Sequence, residues 1–154
     1  MITSGFYFIK NEFYDLVNDN NLKDNKDQNR PFYYCFHEDR NEKHIYWMIP
    51  LSSRISKYKK IVEQRVESNK PIDGIYICEL PNNKESVFLI QDMFPITEKF
   101  IDREYVLNGN HLILRKEELI STINSKAMTI KNLIEKGVKL TTCSPNIFKI
   151  LEKL

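Results

Sequence analysis

His44-Ile45-Tyr46-Trp47-Met48-Ile49-Pro50-Leu51-Ser52-Ser53-Arg54-Ile55-Ser56-Lys57-Tyr58-Lys59-Lys60 joins two periodicities in one stretch. Up to Leu51, the residues Ile45, Trp47 and Ile49 alternate with Tyr46 and Met48. Both faces of this strand are apolar, which predicts a place in the middle of its sheet. From Ile55 onward, Ile55, Tyr58, Ile61, Val62 and Val66 recur at helical spacing and predict a helix over 54–69. Two hydroxyls lie between strand and helix, and Ser53 reads as the N-cap. Arg54, Lys57, Lys59 and Lys60 then put four cations into seven residues, and 54–70 holds six Lys or Arg against two Glu. Orphan amides, the positive end of a helix dipole and cationic side chains meet at one point, which suits a phosphate. Ser53 and Lys57, at i and i+4, can meet the same one. The plainer reading is a capping serine followed by a solvated, charged helix face.

Outward from this stretch, 31–36 is aromatic and strand-like, 38–43 a polar turn, and 44–51 the partner strand. Residues 6–9 predict a first strand. Residues 11–17 predict a short helix with Phe13, Leu16 and Val17 inward. Residues 18–29 carry almost no apolar side chain and predict a mobile surface loop. Past the helix, Pro71 to Gly74 break the chain. A second hairpin is predicted over 75–90, with further strand over 93–97 and 99–106. A long helix starts between Asn110 and Lys116 and runs to about Lys136. Its buried stripe is Leu119, Ile120, Ile123, Ala127, Ile130, Leu133 and Ile134, with Gly137 as C′ residue. Ser144-Pro145 predict the start of a last helix with Ile147, Phe148 and Leu151 inward. Antiparallel hairpins interrupted by helices indicate an α+β fold. No repeat or linker divides the chain, so 1–154 is read as one domain.

A chain of 154 residues has enough length for a core without staples. Its net charge of +2 gives a weak overall field, so a polyanion must be held by a local patch. Cys35, Cys78 and Cys143 are scattered, which argues against disulfides or a zinc knuckle and predicts three buried thiols in a reducing cytosol. A signal-peptide pattern is missing, and no apolar run approaches the ~18–20 residues of a membrane helix. A cytoplasmic protein without a membrane partner is the expectation. Walker A, GxGxxG, HExxH, GxSxG and EF-hand patterns are absent. His37, His44 and His111 have no metal-ligand spacing, so neither a metal nor another cofactor is expected. His37 and His44 are predicted to face each other across the first hairpin.

Other candidate residues surround the same point. Arg30 precedes the strand that carries Phe32, Tyr33 and Tyr34. Cations interleaved with aromatics suit single-stranded nucleic acid, although alternating aromatics in a strand are also ordinary core. Lys116, Lys126, Lys131, Lys136 and Lys139 lie on or after the long helix. They could extend an RNA-binding face or be plain solvation.

Several ordered pieces together resemble the ToxN/AbiQ family, the toxins of type III toxin–antitoxin systems and their CptN- and TenpN-like relatives. Phe6-Tyr7-Phe8-Ile9 is similar to the family's first strand. Arg30-Pro31-Phe32-Tyr33 stands where a functional lysine precedes a strand. Pro50-Leu51-Ser52-Ser53 resembles a Pro-Leu-Thr/Ser-Ser signature. Leu89-Ile90-Gln91-Asp92-Met93-Phe94-Pro95-Ile96 resembles a strand ending in Met-x-Pro-Ile. Ser125-Lys126 through Asn132-Leu133-Ile134, then Gly137 and Thr142-Cys143, resemble the C-terminal helix and tail.

The resemblance implies a Kid/MazF-like fold, a compact antiparallel, barrel-like sheet wrapped by about four helices. It implies a metal-independent endoribonuclease of phage defence. The implied inhibitor is a small repeated pseudoknot antitoxin RNA that the toxin itself processes. Toxin and RNA would alternate in closed assemblies, and cellular RNA rather than DNA would be the substrate. The family's hydroxyl pair falls on Ser52 and Ser53, and its strand-preceding lysine on Arg30. Its second lysine falls on Ile55, so Arg54 or Lys57 must supply that charge. A family tyrosine of the polar loop has no equivalent in 18–29. In the implied reaction, catalysis rests on Ser52, Ser53, Arg54 and Lys57. RNA binding falls to Arg30, Tyr33, Lys59, Lys60, Lys116, Lys126 and Lys131. The base is open among Lys57, a tyrosine and His37. The rival reading is a non-catalytic RNA-binding module using the same patch.

Overall fold

A computed structural model describes residues 1–25 and 29–154. Its strands are β1 (Phe6–Ile9), β2 (Phe32–Arg40), β3 (Lys43–Ser52), β4 (Tyr76–Glu79), β5 (Glu85–Phe88), β6 (Phe94–Ile96), β7 (Ile101–Glu104), β8 (Val106–Leu107) and β9 (Asn110–His111). The helices are α1 (Asn11–Val17), α2 (Ile55–Glu67), α3 (Glu117–Glu135) and α4 (Ile147–Lys153). The fold is α+β with an antiparallel sheet, as the hairpin pattern predicts. Strand order is β4-β5-β3-β2-β1-β7, with β6 also on β3 and β8–β9 as a separate hairpin. Among the described residues the sheet is open, with β4 and β7 at its ends.

β3 is central because its second edge is shared. Tyr46 to Met48 pair with β6, and Leu51 and Ser52 pair with β5, while β2 runs along the other side. The polar turn between β2 and β3 is shorter than 38–43. Only Asn41 and Glu42 form it, at φ 49° and 62°, the paired left-handed backbone of a two-residue hairpin turn. The tighter turn sets a register in which His37 pairs with Tyr46 and Asp39 with His44. The two histidines therefore do not face each other. His37 Nδ1 instead lies 3.0 Å from the Tyr34 hydroxyl.

The core is aromatic. Phe6, Phe13, Phe32, Tyr33, Trp47, Phe88 and Phe94 are wholly buried, in edge and stacked pairs such as Phe13–Phe94 and Tyr33–Phe88 at 5.6 and 5.2 Å. Each such pair is worth about 0.5–1.5 kcal/mol beyond the area it buries. Phe13 and Val17 of α1 enter this core, but Leu16 is exposed. α4 buries Ile147 and Ile150, whereas Phe148 is half exposed. Its cap is Asn146, whose side chain accepts from Lys149 N–H at 3.1 Å, rather than Ser144. α3 ends in a Schellman motif. Gly137 at φ 77° donates to the carbonyl of Ile134, and Val138 to that of Leu133.

The described part of the polar run, 18–25, is anchored, contrary to a mobile loop. Leu22 is buried. The Asn25 amide accepts from Ile9 N–H at 3.1 Å and donates to the Ile9 carbonyl, as a neighbouring strand would. Lys26, Asp27 and Gln28 lie outside the described residues. No described helix is long and apolar enough to cross a membrane.

Candidate functional site

At the end of β3 the chain leaves the sheet and turns at once into α2. Leu51 is buried opposite Phe88, and Ser52 pairs with Val87. The Ser52 hydroxyl accepts from Arg54 N–H at 3.2 Å, so it is Ser52 that satisfies one orphan amide. Arg54 occupies the cap position without a side-chain bond. Ser53, expected as the cap, offers an exposed hydroxyl with no partner among the described residues. The first turn of α2 contains no acidic residue. Cations there face the positive end of the dipole, an arrangement that costs roughly 0.3–1 kcal/mol per charge. Local stability does not explain that choice of residues.

Tyr58 forms the wall behind this turn. It packs with Ile55, Ile61 and Val62 on Ile75, Val87 and Leu89. Burial raises its hydroxyl pKa, and Asp92 raises it further, while Arg54 and Arg30 pull it down. Cys143 also bears on the same hydroxyl. Charges from three other parts of the chain, near Arg30, Asp92 and Cys143, thus act on the Tyr58 hydroxyl. In the sequence Tyr58 stands on the apolar stripe of the helix, and its i+4 relation to Arg54 is the local signal of this position.

Asp92 stands in a short 3-10 turn over Ile90–Asp92 and is 3% exposed. Burial pushes its carboxyl up to about 6, against the pull of Lys23 at 3.9 Å and the Ser144 hydroxyl, which donates at 3.4 Å. The turn is fixed from outside. Gln91 N–H donates to the Gly74 carbonyl at 2.9 Å, and Arg65 Nη2 donates to Gln91 Oε1 at 3.1 Å. A Cβ at Gly74 would stand 2.9 Å from Gln91 Cβ, so only glycine allows this approach. Asp92 was not among the sequence candidates.

The other candidates divide. Arg30 is half-buried, its N–H on the Asn25 carbonyl at 2.9 Å. Lys57 lies 5.4 Å from the centroid of the Tyr58 ring. Arg54, Lys57 and Lys60 are exposed, and none makes an ion pair among the described residues. Lys59 is exposed but paired with Glu85 at 3.4 Å. Lys116 is the exposed residue before α3. Lys126 is largely covered and pairs with Asp73 at 3.7 Å.

Two candidates point the wrong way for RNA. Tyr33 is wholly buried and donates to the Ser4 hydroxyl at 3.1 Å. Lys131 is buried over the Trp47 ring, 3.0 Å from Glu38 and 2.7 Å from Glu135. Burial alone would lower its pKa, but the bonds to Glu135 and Glu38 outweigh it and the net shift is upward. Sequence showed a helix lysine at a polar-looking position and gave no view of Glu38 behind it. Among the cysteines, Cys35 and Cys78 are buried, whereas Cys143 is exposed, contrary to three buried thiols. No three His, Cys, Asp or Glu among the described residues are grouped to hold a metal ion.

No family model and no curated protein matches the sequence. Among solved structures, the chain is similar to AbiQ, a lactococcal anti-phage endoribonuclease belonging to the type III toxin–antitoxin system. The TM-score is 0.73 at 12% identity, over 99% of this chain and 96% of that one. At such identity the likeness is one of fold.

Proposed function

We propose that this chain, which has the fold of AbiQ, is the toxin of a type III toxin–antitoxin system and cleaves RNA without a metal. The observation that carries the reading is the start of α2, with Ser53 unpartnered, Arg54 and Lys57 exposed and no acid in the first turn. In the reaction, the substrate's 2′-oxygen attacks the adjacent phosphorus and gives up its proton. The bond to the 5′-oxygen breaks and that oxygen takes a proton, leaving a 2′,3′-cyclic phosphate and a 5′-OH. Ser53 and the free amides of α2 hold the non-bridging oxygens. Arg54 and Lys57 flank Tyr58 and together offset the charge that builds on phosphorus. Arg30, whose charge also acts on the Tyr58 hydroxyl, adds to this cationic surface. Tyr58, kept protonated by burial, donates a hydrogen bond to the phosphoryl group. The partner is a small repeated pseudoknot RNA, processed by the toxin and alternating with it in a closed assembly.

Incubating purified protein with RNA in excess EDTA tests the reading. Cyclic-phosphate ends that disappear in Ser53→Ala support it. Intact RNA with retained binding would assign a non-catalytic RNA-binding module instead, and cleavage abolished by EDTA would assign a metal nuclease.

A further inference from the structure

The exposed side chains of α2 continue beyond the site. Lys57, Lys60, Gln64 and Ser68 recur at i, i+3, i+7 and i+11, which places them on one stripe of the helix. All four are exposed. From Lys57 to Ser68 the stripe runs for about 17 Å toward the C-terminal end of α2. There it opens into a groove of about 740 Å³ between α2 and α3. Ile61, Ile130, Leu133 and Leu140 give the groove an apolar floor, and Arg65, Lys70 and Lys139 line it as cations. Its acid, Asp73, is already paired with Lys126. Arg65 is held in place by Gln91, the residue before Asp92, so the groove adjoins the Asp92 turn at the far end of α2 from the hydroxyl pair.

An apolar floor rimmed by unneutralised cations fits an unstacked base whose flanking phosphates meet the rim. A duplex keeps its base faces stacked and cannot use such a floor. We infer that a single RNA strand runs along α2 from Ser53 and lodges a base in the α2–α3 groove, about four nucleotides away, near the low end of single-strand site sizes. The inference rests on the reading that the scissile phosphate sits at Ser52 and Ser53. It adds a second subsite, remote from the chemistry, that would set how much RNA the protein grips.

The test uses fluorescent 2′-O-methyl oligouridylates, which lack the nucleophile, from dinucleotide to octanucleotide, with binding read by anisotropy. Affinity is expected to rise severalfold once the strand reaches the groove, from the apolar area a base buries on Ile61, Ile130, Leu133 and Leu140, and then to level off. Lys70→Gln/Lys139→Gln should lose that rise, keep dinucleotide binding, and flatten the salt dependence for the octamer by about 1.4 in slope. Ser53→Ala should keep the rise while losing cleavage of unmodified RNA. A wild-type protein that gains nothing beyond the dinucleotide, or a double variant that keeps the full gain, overturns the inference. So does tighter binding of oligoglutamate than of the octamer, which would give the groove to an acidic protein partner. Failure to cleave unmodified RNA, with the length dependence intact, would sink the nuclease reading and leave the strand path standing.

Discussion

α2 and α3 are the two long helices of this molecule, and they begin in opposite ways. Both have a basic residue at the cap, Arg54 and Lys116, with no side-chain bond there. Behind Lys116 come Glu117 and Glu118, which complement the dipole. Behind Arg54 comes Lys57 and no acid. α3 buries Ile123, Ala127, Ile130 and Ile134 and ends in a Schellman motif, while α2 buries no residue fully. One helix is arranged to hold the fold together. The other has a start that water leaves unfavourable and an anion would complete. On the proposed reading, a helix start built against its own dipole says more about a binding site than a count of its lysines.

Core substitutions should separate the two helices most strongly. Ile123→Ala in α3 should cost about 2–5 kcal/mol, while Ile61→Ala on the half-buried face of α2 should cost about 1 kcal/mol. Equal losses in urea denaturation would erase the contrast. Next is Ser53→Ala, which should slow RNA cleavage by about 100- to 1,000-fold and leave the melting temperature unchanged, because the hydroxyl supports nothing in the fold. A lower melting temperature would make Ser53 a structural residue after all.

Asp92 sharpens the same contrast through pH. Its carboxyl titrates at about 6 in the folded chain against an ordinary 3.8. The native state holds the extra proton between those values. The stability this one group contributes is therefore fully present below about pH 4 and is lost, by about 3 kcal/mol, as pH rises through about 6. Asp92→Asn should raise the melting temperature at neutral pH and hardly change it near pH 4. A gain of equal size at both would remove the carboxylate as its cause. The smallest effects come from exchanging the helix starts. Arg54→Glu should stabilise by about 0.3–1 kcal/mol and weaken RNA binding, whereas Glu117→Lys should destabilise by a similar amount and leave binding intact.

Elements whose burial follows a simple period were legible in the sequence. β3 read as central because both its faces are apolar, and α3 read as a long helix because Ile123, Ala127, Ile130 and Ile134 share one side. Caps were legible only to within a residue or two. Ser53 and Ser144 are good capping types, but backbone angles put the bond on Ser52 and Asn146. Asn25 was hidden because an amide that replaces a strand partner looks like any other polar loop residue. The candidate site was legible where it is contiguous, at Ser52 to Lys57, and illegible where it depends on distant parts of the chain. Tyr58, Asp92 and the inward turn of Lys131 depend on neighbours far along the chain, and no local pattern encodes those.

The contrast among the thiols has a practical consequence. Burial pushes Cys35 up to about 12 and Cys78 up to about 11, which keeps both as unreactive thiols at neutral pH. Cys143 is exposed, one residue before Ser144, whose hydroxyl donates to Asp92. The unaltered chain thus carries its own attachment point for a maleimide fluorophore or spin label at the edge of the site. Arrival and departure of RNA can be followed there in real time, without changing a single residue.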